Sequence, residues 1–130
     1  MRVVFDTNIL ISALVIPTSL AERVIFKIIE GEDSLVISKE ISNELLSVLS
    51  TKFSSDREAI SRVAINLSEL AELVTPTKRV RIFKDEPDNR ILECVLCGKA
   101  DVIVTGDKEM LKLREYEGVK IISLKEYLDY

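Results

Sequence analysis

The chain has 130 residues, of which 47% are hydrophobic and 31% charged, and its formal net charge is −4. This composition is typical of a globular protein with an ordinary core, and we expect one domain over residues 1–130. The chain contains no histidine, which excludes histidine acid–base catalysis, Ser–His or Cys–His nucleophiles and His-ligated zinc. The acidic balance counts against a large, sequence-independent surface for phosphates.

The N-terminal apolar run is short, because Asp6 and Asn8 interrupt it. It lacks the basic region of a signal peptide and the ~20 apolar residues of a membrane span. We therefore expect a cytoplasmic protein without a membrane partner.

The first part of the chain predicts two buried strands separated by helices. The segments "RVVF" (2–5) and "SLVIS" (34–38) are short apolar runs, as strands buried on both faces usually are. Between them the apolar spacing is helical from Leu10 to Ile29. This helical stretch is expected to break at Pro17, to restart at a cap on Thr18 or Ser19, and to end at Gly31.

Two helices and an extended segment are expected next. Ser38 is a preferred N-cap residue, and the helix after it has an apolar stripe of Ile41, Leu45, Val48 and Leu49. A further helix is expected from about Ser55, with apolar residues at helical spacing at Ile60, Val63, Ala64, Leu67, Leu70, Ala71 and Val74. The alternating segment "RVRIF" (79–83) then predicts a strand or an extended edge.

The last part of the chain again alternates between helix and strand. The segment "DNRILECVLCG" (88–98) predicts a helix that opens on an acid and closes at a glycine. Strands are predicted at "DVIVT" (101–105) and "VKIIS" (119–123), with a short helix "KEMLKL" (108–113) between them, and Ser123 is suited to cap a final helical turn. Strands that alternate with helices favour a parallel sheet covered on both faces.

The two cysteines, Cys94 and Cys97, form "CVLC" within the predicted helix. This spacing is that of a redox pair or of half a zinc site. There is no Gly-Pro turn, however, and no second pair of Cys or His residues completes a zinc site. We interpret them as small buried thiols on one face of the helix.

Four acids are expected to meet at the carboxyl edge of the sheet, where ligands bind in parallel α/β proteins. Asp6 ends the first strand, and Asp107 lies two residues beyond "DVIVT". Glu44 lies about 60° around its helix from Ile41, beside the buried stripe. Asp88 opens the helix at 88–98.

Each acid also has a purely structural interpretation. Asp6, Asp88 and Asp107 are suited to cap helices, and Glu44 to a solvated helix face. Two acids compete for places in the group: Asp85 with Asp88, and Glu40 with Glu44, although Glu40 is better explained by favourable interaction with the helix dipole.

Taken together, the carboxylates would repel one another at low dielectric unless a cation screened them. Oxygen ligands without His or Cys suit Mg²⁺ or Mn²⁺. Such ions lower the pKa of a bound water and clamp a phosphodiester during in-line attack. This chemistry needs no histidine.

The chain resembles the PIN-domain ribonucleases, above all small prokaryotic members described as toxins of toxin–antitoxin pairs. The segments that carry the resemblance are "VVFDTNIL", "ISNEL", "DEPDNRILECVL" and "ADVIVTGDKEML", which span nearly the whole chain. The resemblance implies a three-layer α/β/α sandwich with a central, mainly parallel sheet of about four to five strands. That architecture agrees with the elements predicted above.

The resemblance also implies a metal-dependent endoribonuclease that hydrolyses RNA with Mg²⁺ or Mn²⁺. Position by position, its catalytic and metal-binding acids fall on Asp6, Glu44, Asp88 and Asp107, with Asp85 as the rival for the third place. The family's polar residues beside the metal fall on Asn8 and Thr105, which would orient a carboxylate or a water. Asp101 precedes its strand, at the far edge of the sheet, and is left out of the site.

The segment "KRVRIFK" (78–84) is the candidate surface for RNA. It concentrates Lys78, Arg79, Arg81 and Lys84, with Phe83 available for stacking, as an RNA backbone beside an acidic site would need. An alternative of equal weight is a charged edge strand that is protected against aggregation.

The implied partners are an RNA substrate, an antitoxin protein and a second copy of the chain. Exposed apolar positions at the C-terminus and in the helix at 55–74 favour a homodimer. The alternative function is a non-catalytic PIN-fold module that binds a partner protein or RNA. A phosphoacceptor receiver domain is disfavoured, because such domains need adjacent acids after the first strand and here only Asp6 is present.

Overall fold

The computed structural model of the chain describes residues 1–16, 18–52 and 57–130. Within these ranges six short strands alternate with seven helices. The strands are β1 (Arg2–Phe5), β2 (Ser34–Ser38), β3 (Ala71–Val74), β4 (Val102–Val104), β5 (Glu115–Tyr116) and β6 (Val119–Ile122). The helices are α1 (Thr7–Val15), α2 (Glu22–Ile29), α3 (Lys39–Lys52), α4 (Arg57–Leu70), α5 (Glu86–Gly98), α6 (Lys108–Leu113) and α7 (Leu124–Leu128).

The strands form one sheet in the order β3-β2-β1-β4-β6-β5. All neighbouring strands are parallel except β5 and β6, which form an antiparallel hairpin. The central strands β1 and β4 are almost entirely buried, as their uninterrupted apolar sequences predict. The predicted mainly parallel α/β sheet is therefore confirmed.

Helices cover both faces of this sheet. Phe5 of β1 makes an edge-to-face contact with Tyr127 of α7, with ring centroids 5.3 Å apart. On the other face Gly98 of α5 packs closely on Val36 of β2. Because Val3 is paired with Leu35, Val36 points to the face opposite Phe5. Helices α5 and α7 thus lie on opposite faces, in the predicted three-layer arrangement.

The sheet has six strands rather than the expected four to five. Ala71 and Val74, which were expected to continue a helix, belong to β3 and pair with β2. Apolar residues three apart fit the helical period, so the sequence pattern favoured a helix and only pairing with β2 makes this segment a strand. The other unexpected strand is the two-residue β5, which pairs with β6 across a turn at Gly118, where φ is +83°.

The segment "RVRIF" (79–83) is not a strand. Its backbone donors are bound by side chains of α5 instead of a neighbouring strand. Asn89 Oδ1 accepts from the N–H groups of Ile82 and Phe83, at 3.1 and 2.8 Å, and Glu93 Oε2 accepts from the N–H of Val80 at 2.8 Å. The predicted strand or extended edge is therefore not part of the sheet, and the partner of this segment is a helix.

Most of the predicted caps are present. Ser38 caps α3 through the N–H of Ile41, and Ser123 forms a capping box at α7. The cap expected at Thr18 or Ser19 is wrong: the N-cap of α2 is Ala21. The hydroxyl of Ser19 instead donates to the carbonyl of Ser12 at the end of α1. The predicted break at Pro17 and helix start at Ser55 lie outside the described residues.

The two cysteines differ in their surroundings. Cys94 is fully buried in the core, and this burial raises the pKa of its thiol to about 12. Cys97, near the end of α5, is exposed, so the prediction of two buried thiols is wrong for this residue. Both thiols are free.

None of the helices within residues 1–16, 18–52 and 57–130 combines the length and the apolar character needed to cross a membrane.

The close packing of α5 on β2 predicts a strong effect of Gly98→Ala. An added Cβ would lie 2.5 Å from Cγ1 of the buried Val36, so the substitution is expected to lower the free energy of unfolding by about 1–3 kcal/mol. The matched control is Gly106→Ala, whose Cβ would meet nothing within 4 Å. Urea unfolding of both variants tests this, and equal midpoints would contradict the close contact.

Candidate functional site

Hydrogen bonds join the carboxyl ends of the central strands β1 and β4. The hydroxyl of Thr105 donates to Asp6 Oδ2 at 2.7 Å and accepts from the N–H of Asp107 at 3.0 Å. The N–H of Asp6 donates to the carbonyl of Val104 at 2.9 Å. Asp6 and Asp107 therefore lie at the same edge of the sheet, where parallel α/β proteins bind ligands.

Both acids also cap a helix, as their structural interpretation predicts. Asp6 Oδ1 accepts from the N–H of Asn8 at the start of α1, and Asp107 Oδ1 accepts from the N–H of Met110 at the start of α6. Each capping bond occupies a single carboxylate oxygen. Capping therefore does not exclude a second role for either acid.

Asp88 and Glu44 extend this group of acids from two other elements. Asp88 is buried in the first turn of α5. Burial raises its pKa to about 7, with added repulsion from Asp107, Asp85, Asp6 and Glu44 in decreasing order. The pKa of Glu44 on α3 is also raised, first by burial and then by Asp6 and Asp85. Five carboxylates thus interact at this sheet edge, and we call Asp6, Glu44, Asp85, Asp88 and Asp107 the acid group.

The structure separates the competing acids. Glu40 lies outside the acid group, because its carboxylate pairs with Arg79 at 2.9 Å and with Arg90 at 3.8 Å. The helix begins at Glu86, so the expected start and cap at Asp88 are wrong. Asp85 is the N-cap residue of α5 and is exposed, whereas Asp88 is the third residue of the helix and is buried. Repulsion from Asp85 raises the pKa of both Glu44 and Asp88, so the acid group includes both Asp85 and Asp88.

Asp101 lies at the opposite edge of the sheet, as expected. Its carboxylate accepts a hydrogen bond of 2.7 Å from the N–H of Arg2, the first residue of β1. The direction of the parallel strands therefore separates this acid from the acid group.

The acid group offers oxygen donors without a preassembled geometry. Among the described residues, no group of three or more Asp, Glu or Cys side chains is arranged to hold a metal ion. The chemistry of the donors fits a hard cation such as Mg²⁺ or Mn²⁺. Burial, together with repulsion from the neighbouring acids, raises the pKa of Asp88, and a divalent ion would offset the repulsion.

The two polar residues that the resemblance placed beside the metal differ in role. Thr105 is fully buried, and its hydroxyl holds one oxygen of Asp6. Asn8 contacts Asp6 through its backbone N–H. Its side chain lines an open cavity whose wall includes Asp6 and Asp107.

The cationic segment 78–84 lies against the start of α5. Arg79 is engaged in ion pairs with Glu40 and with the buried Glu93, at 2.9 and 3.3 Å. In the described part of the chain, Lys78, Arg81 and Lys84 form no ion pair. Phe83 is partly buried against the core rather than free for stacking.

Several residues around the acid group are not singled out by the sequence. Asn89 follows Asp88 directly, is fully buried, and exchanges hydrogen bonds with the backbone of Phe83. Asn89 and Glu93 are polar residues four apart within an otherwise apolar helical stretch, and this pattern is a usable signal for a buried polar contact. No sequence signal pointed to Ser12 or Lys108, which line the cavity beside Asp6.

Comparison with known families gives a match over most of the chain. The family model described as "PIN domain" matches residues 2–109. This match confirms the family that the acid-bearing segments resemble.

A protein of Methanocaldococcus jannaschii, named "Uncharacterized protein MJ1680", is similar to this chain. The two sequences are 30% identical over 118 residues, which cover 88% of this chain and 76% of that protein. Among solved structures, the crystal structure of VapBC2 from Rickettsia felis bound to a DNA fragment from their promoter has a similar fold. Its TM-score is 0.66 at 16% identity, covering 95% of this chain and 98% of that chain.

The raised pKa of Asp88 predicts a specific pH dependence of stability in the metal-free protein. Its folded-state pKa of about 7 lies above its ordinary value of 3.8. The folded protein therefore holds a proton that the unfolded chain has lost, and stability falls as pH rises from about 4 to about 7. Asp88→Asn removes this dependence. We expect its melting temperature to exceed that of the wild type at pH 8 but to approach it at pH 5.

Thermal unfolding in EDTA at both pH values measures this difference. Asp129→Asn, at an exposed residue after α7, is the control and should follow the wild type. An Asp88→Asn variant with the same pH profile as the wild type would show that the pKa of Asp88 is not raised in the folded protein.

Proposed function

The chain belongs to the PIN domain family, and from that premise we propose that it is a metal-dependent endoribonuclease that hydrolyses RNA phosphodiesters. The observation that carries the proposal is the acid group, in which burial, with added repulsion from the other acids, raises the pKa of Asp88 to about 7. Carboxylates from several elements, gathered at the edge where parallel α/β proteins bind ligands, match the chemistry of a magnesium- or manganese-dependent hydrolase.

In this proposal Asp6, Glu44, Asp88 and Asp107 hold the ion, and Asp85 supports them. A bound divalent ion supplies a water of lowered pKa and neutralises charge on the phosphodiester. The hydroxyl of Thr105 fixes the orientation of Asp6 through its 2.7 Å bond to Oδ2. Near neutral pH Asp88 is partly protonated, so its proton competes with the cation and ion affinity rises with pH.

We propose that the cationic segment guides the RNA backbone toward the acid group. Lys78, Arg81 and Lys84 are exposed, and Lys84 directly precedes Asp85. Their charges would attract phosphates, and binding would weaken with salt. Arg79 is expected to contribute less to RNA binding, because Glu40 and Glu93 already neutralise it.

We propose further that the protein is the toxin of a toxin–antitoxin pair in the cytoplasm. The fold similarity to VapBC2 supports an antitoxin partner. Exposed apolar side chains support a homodimer that uses α4 and the C-terminus, where Ile65 and Tyr130 are 56% and 62% exposed. Size-exclusion chromatography with light scattering measures this state directly.

A non-catalytic interaction module is the second candidate. It is favoured by one observation: within the residues that the structure describes, the carboxylates do not form a preassembled metal group. A basic side chain of a partner protein would neutralise the same acids. Only the nuclease requires metal-dependent breakdown of RNA.

The nuclease proposal predicts that Asp6→Asn abolishes cleavage while the fold is kept. Removing one charge from the acid group weakens ion binding, and we expect a loss of roughly 100-fold or more. The assay is cleavage of a mixed-sequence single-stranded RNA with Mn²⁺, with Mg²⁺ and with EDTA. Asp101→Asn, which changes an acid at the opposite sheet edge, is the matched control and should cleave like the wild type.

Full activity of Asp6→Asn would refute the proposed site. If neither protein cleaves RNA although the folded wild type binds Mn²⁺, the interaction module is the better explanation.

A further inference from the structure

An open cavity lies beside the acid group, and the proposed hydrolysis does not use most of its wall. It lies where α1, α6 and α7 begin, and has a volume of about 480 Å³, within the range of ligand-binding pockets. Asp6 and Asp107 form one part of its wall. Its remaining wall has a polar part (Asn8, Ser12 and Lys108) and an apolar part (Ile9, Ala21 and Leu124).

We propose that this cavity is a binding site for one nucleotide unit of the RNA, next to the bond that is cleaved. The phosphate of this nucleotide would contact Lys108, Asn8 and Ser12. Its ribose and base would lie against the apolar part of the wall. This inference rests on the proposed ribonuclease function, and it adds a substrate subsite to it.

Lys108 carries a positive charge on the cavity wall. This residue directly follows Asp107 and is exposed on the cavity wall. Across residues 1–16, 18–52 and 57–130 no carboxylate forms an ion pair with its ammonium group, whereas Lys112 on the same helix pairs with Glu109. A phosphate close to Asp6 and Asp107 would be repelled without such a cation. Lys108 supplies that charge on the cavity wall.

Two residues of the cavity wall, Asn8 and Ser12, carry uncharged donors. Asn8 and Ser12 are four residues apart on α1, so their side chains lie on the same face of the helix. Neither side chain forms a hydrogen bond to another residue in the described part of the chain. Because Asp6 caps α1 through the backbone N–H of Asn8, the Asn8 amide group is free to donate to a phosphate oxygen.

The cavity wall also has an apolar part. Ile9 and Ala21 are 8% and 3% exposed and form a fixed surface, and Leu124 completes it from the start of α7. A purely anionic ligand such as phosphate gains nothing from this surface. A nucleotide matches it, because it joins a charged phosphate to a ring system with apolar faces.

The first test uses the unmodified protein and adenosine 5′-monophosphate as the probe, with and without Mg²⁺. Lysine acetylation rates are measured by mass spectrometry. The probe should slow acetylation of Lys108 several-fold and leave Lys120, which lies on β6 away from the cavity, unchanged. In NMR spectra the amide signals of Ala21 and Gly106 should shift, and that of Gly118 should not.

Inorganic phosphate and adenosine serve as separate probes for the two parts of the wall. Each should protect Lys108 less than the complete nucleotide at equal concentration. If phosphate alone protects Lys108 as strongly as the nucleotide does, the assignment of the apolar part to the ribose and base is wrong.

The second test compares Lys108→Ala with Lys120→Ala in RNA cleavage. Loss of a phosphate contact that is equal in the ground and transition states raises KM and leaves kcat unchanged. We expect KM to rise roughly tenfold for Lys108→Ala, which corresponds to one charge-assisted contact. The control should keep the KM of the wild type. Ser12→Phe, which fills the cavity, should raise KM as well.

The outcomes separate this inference from the proposed function. If the wild type cleaves RNA but the nucleotide does not protect Lys108 and Lys108→Ala keeps its KM, the subsite is wrong and the nuclease stands. If the nucleotide protects Lys108 but no metal supports cleavage, the nucleotide site stands and the nuclease proposal falls. Protection of Lys108 by an arginine-rich peptide rather than by the nucleotide would identify a protein-binding site and overturn the inference.

Discussion

Burial of carboxylates close to one another is the constraint around which this sheet edge is built. Burial raises the pKa of Asp88 to about 7, and repulsion from four other acids adds to the shift. Such an arrangement costs folding free energy at neutral pH, so the rest of the fold must supply it. The almost fully buried strands β1 and β4 provide this support, because they fix the positions from which Asp6 and Asp107 project.

Residues of the candidate site also contribute to stability. Asp6 and Asp107 each cap a helix with one oxygen, and Thr105 ties Asp6 to the end of β4. These bonds restrain the side chains of Asp6 and Asp107 individually, although the acid group as a whole is not arranged as a metal site within the described residues. Next to Asp88, the side chain of Asn89 accepts hydrogen bonds from the backbone of residues 82–83 and holds this segment against α5. The cationic segment is thereby fixed next to Asp85 and Asp88.

The strands and helices with strong periodic patterns were predictable. The apolar runs at 2–5, 34–38 and 101–105 correspond to β1, β2 and β4, since strands buried on both faces leave no place for polar residues. The segment 71–74 was assigned to a helix because its apolar residues continue the helical spacing of the residues before it. Only pairing with β2 made it a strand. The segment 79–83 alternates like a strand, but side chains of α5 took the place of a neighbouring strand.

By itself the sequence determined the family and the residue types that are available for chemistry. It contains acids at the ends of predicted strands and no histidine, and the order of strands along the chain places Asp6 and Asp107 at one edge. Only the tertiary structure decided the partners of each acid. Glu40 is bound by Arg79, which lies 39 residues away, and Thr105 holds Asp6 from 99 residues away. Such contacts depend on how distant elements pack, which local periodicity does not encode. For the same reason, the cavity shared by the starts of α1, α6 and α7 exists only in the folded chain.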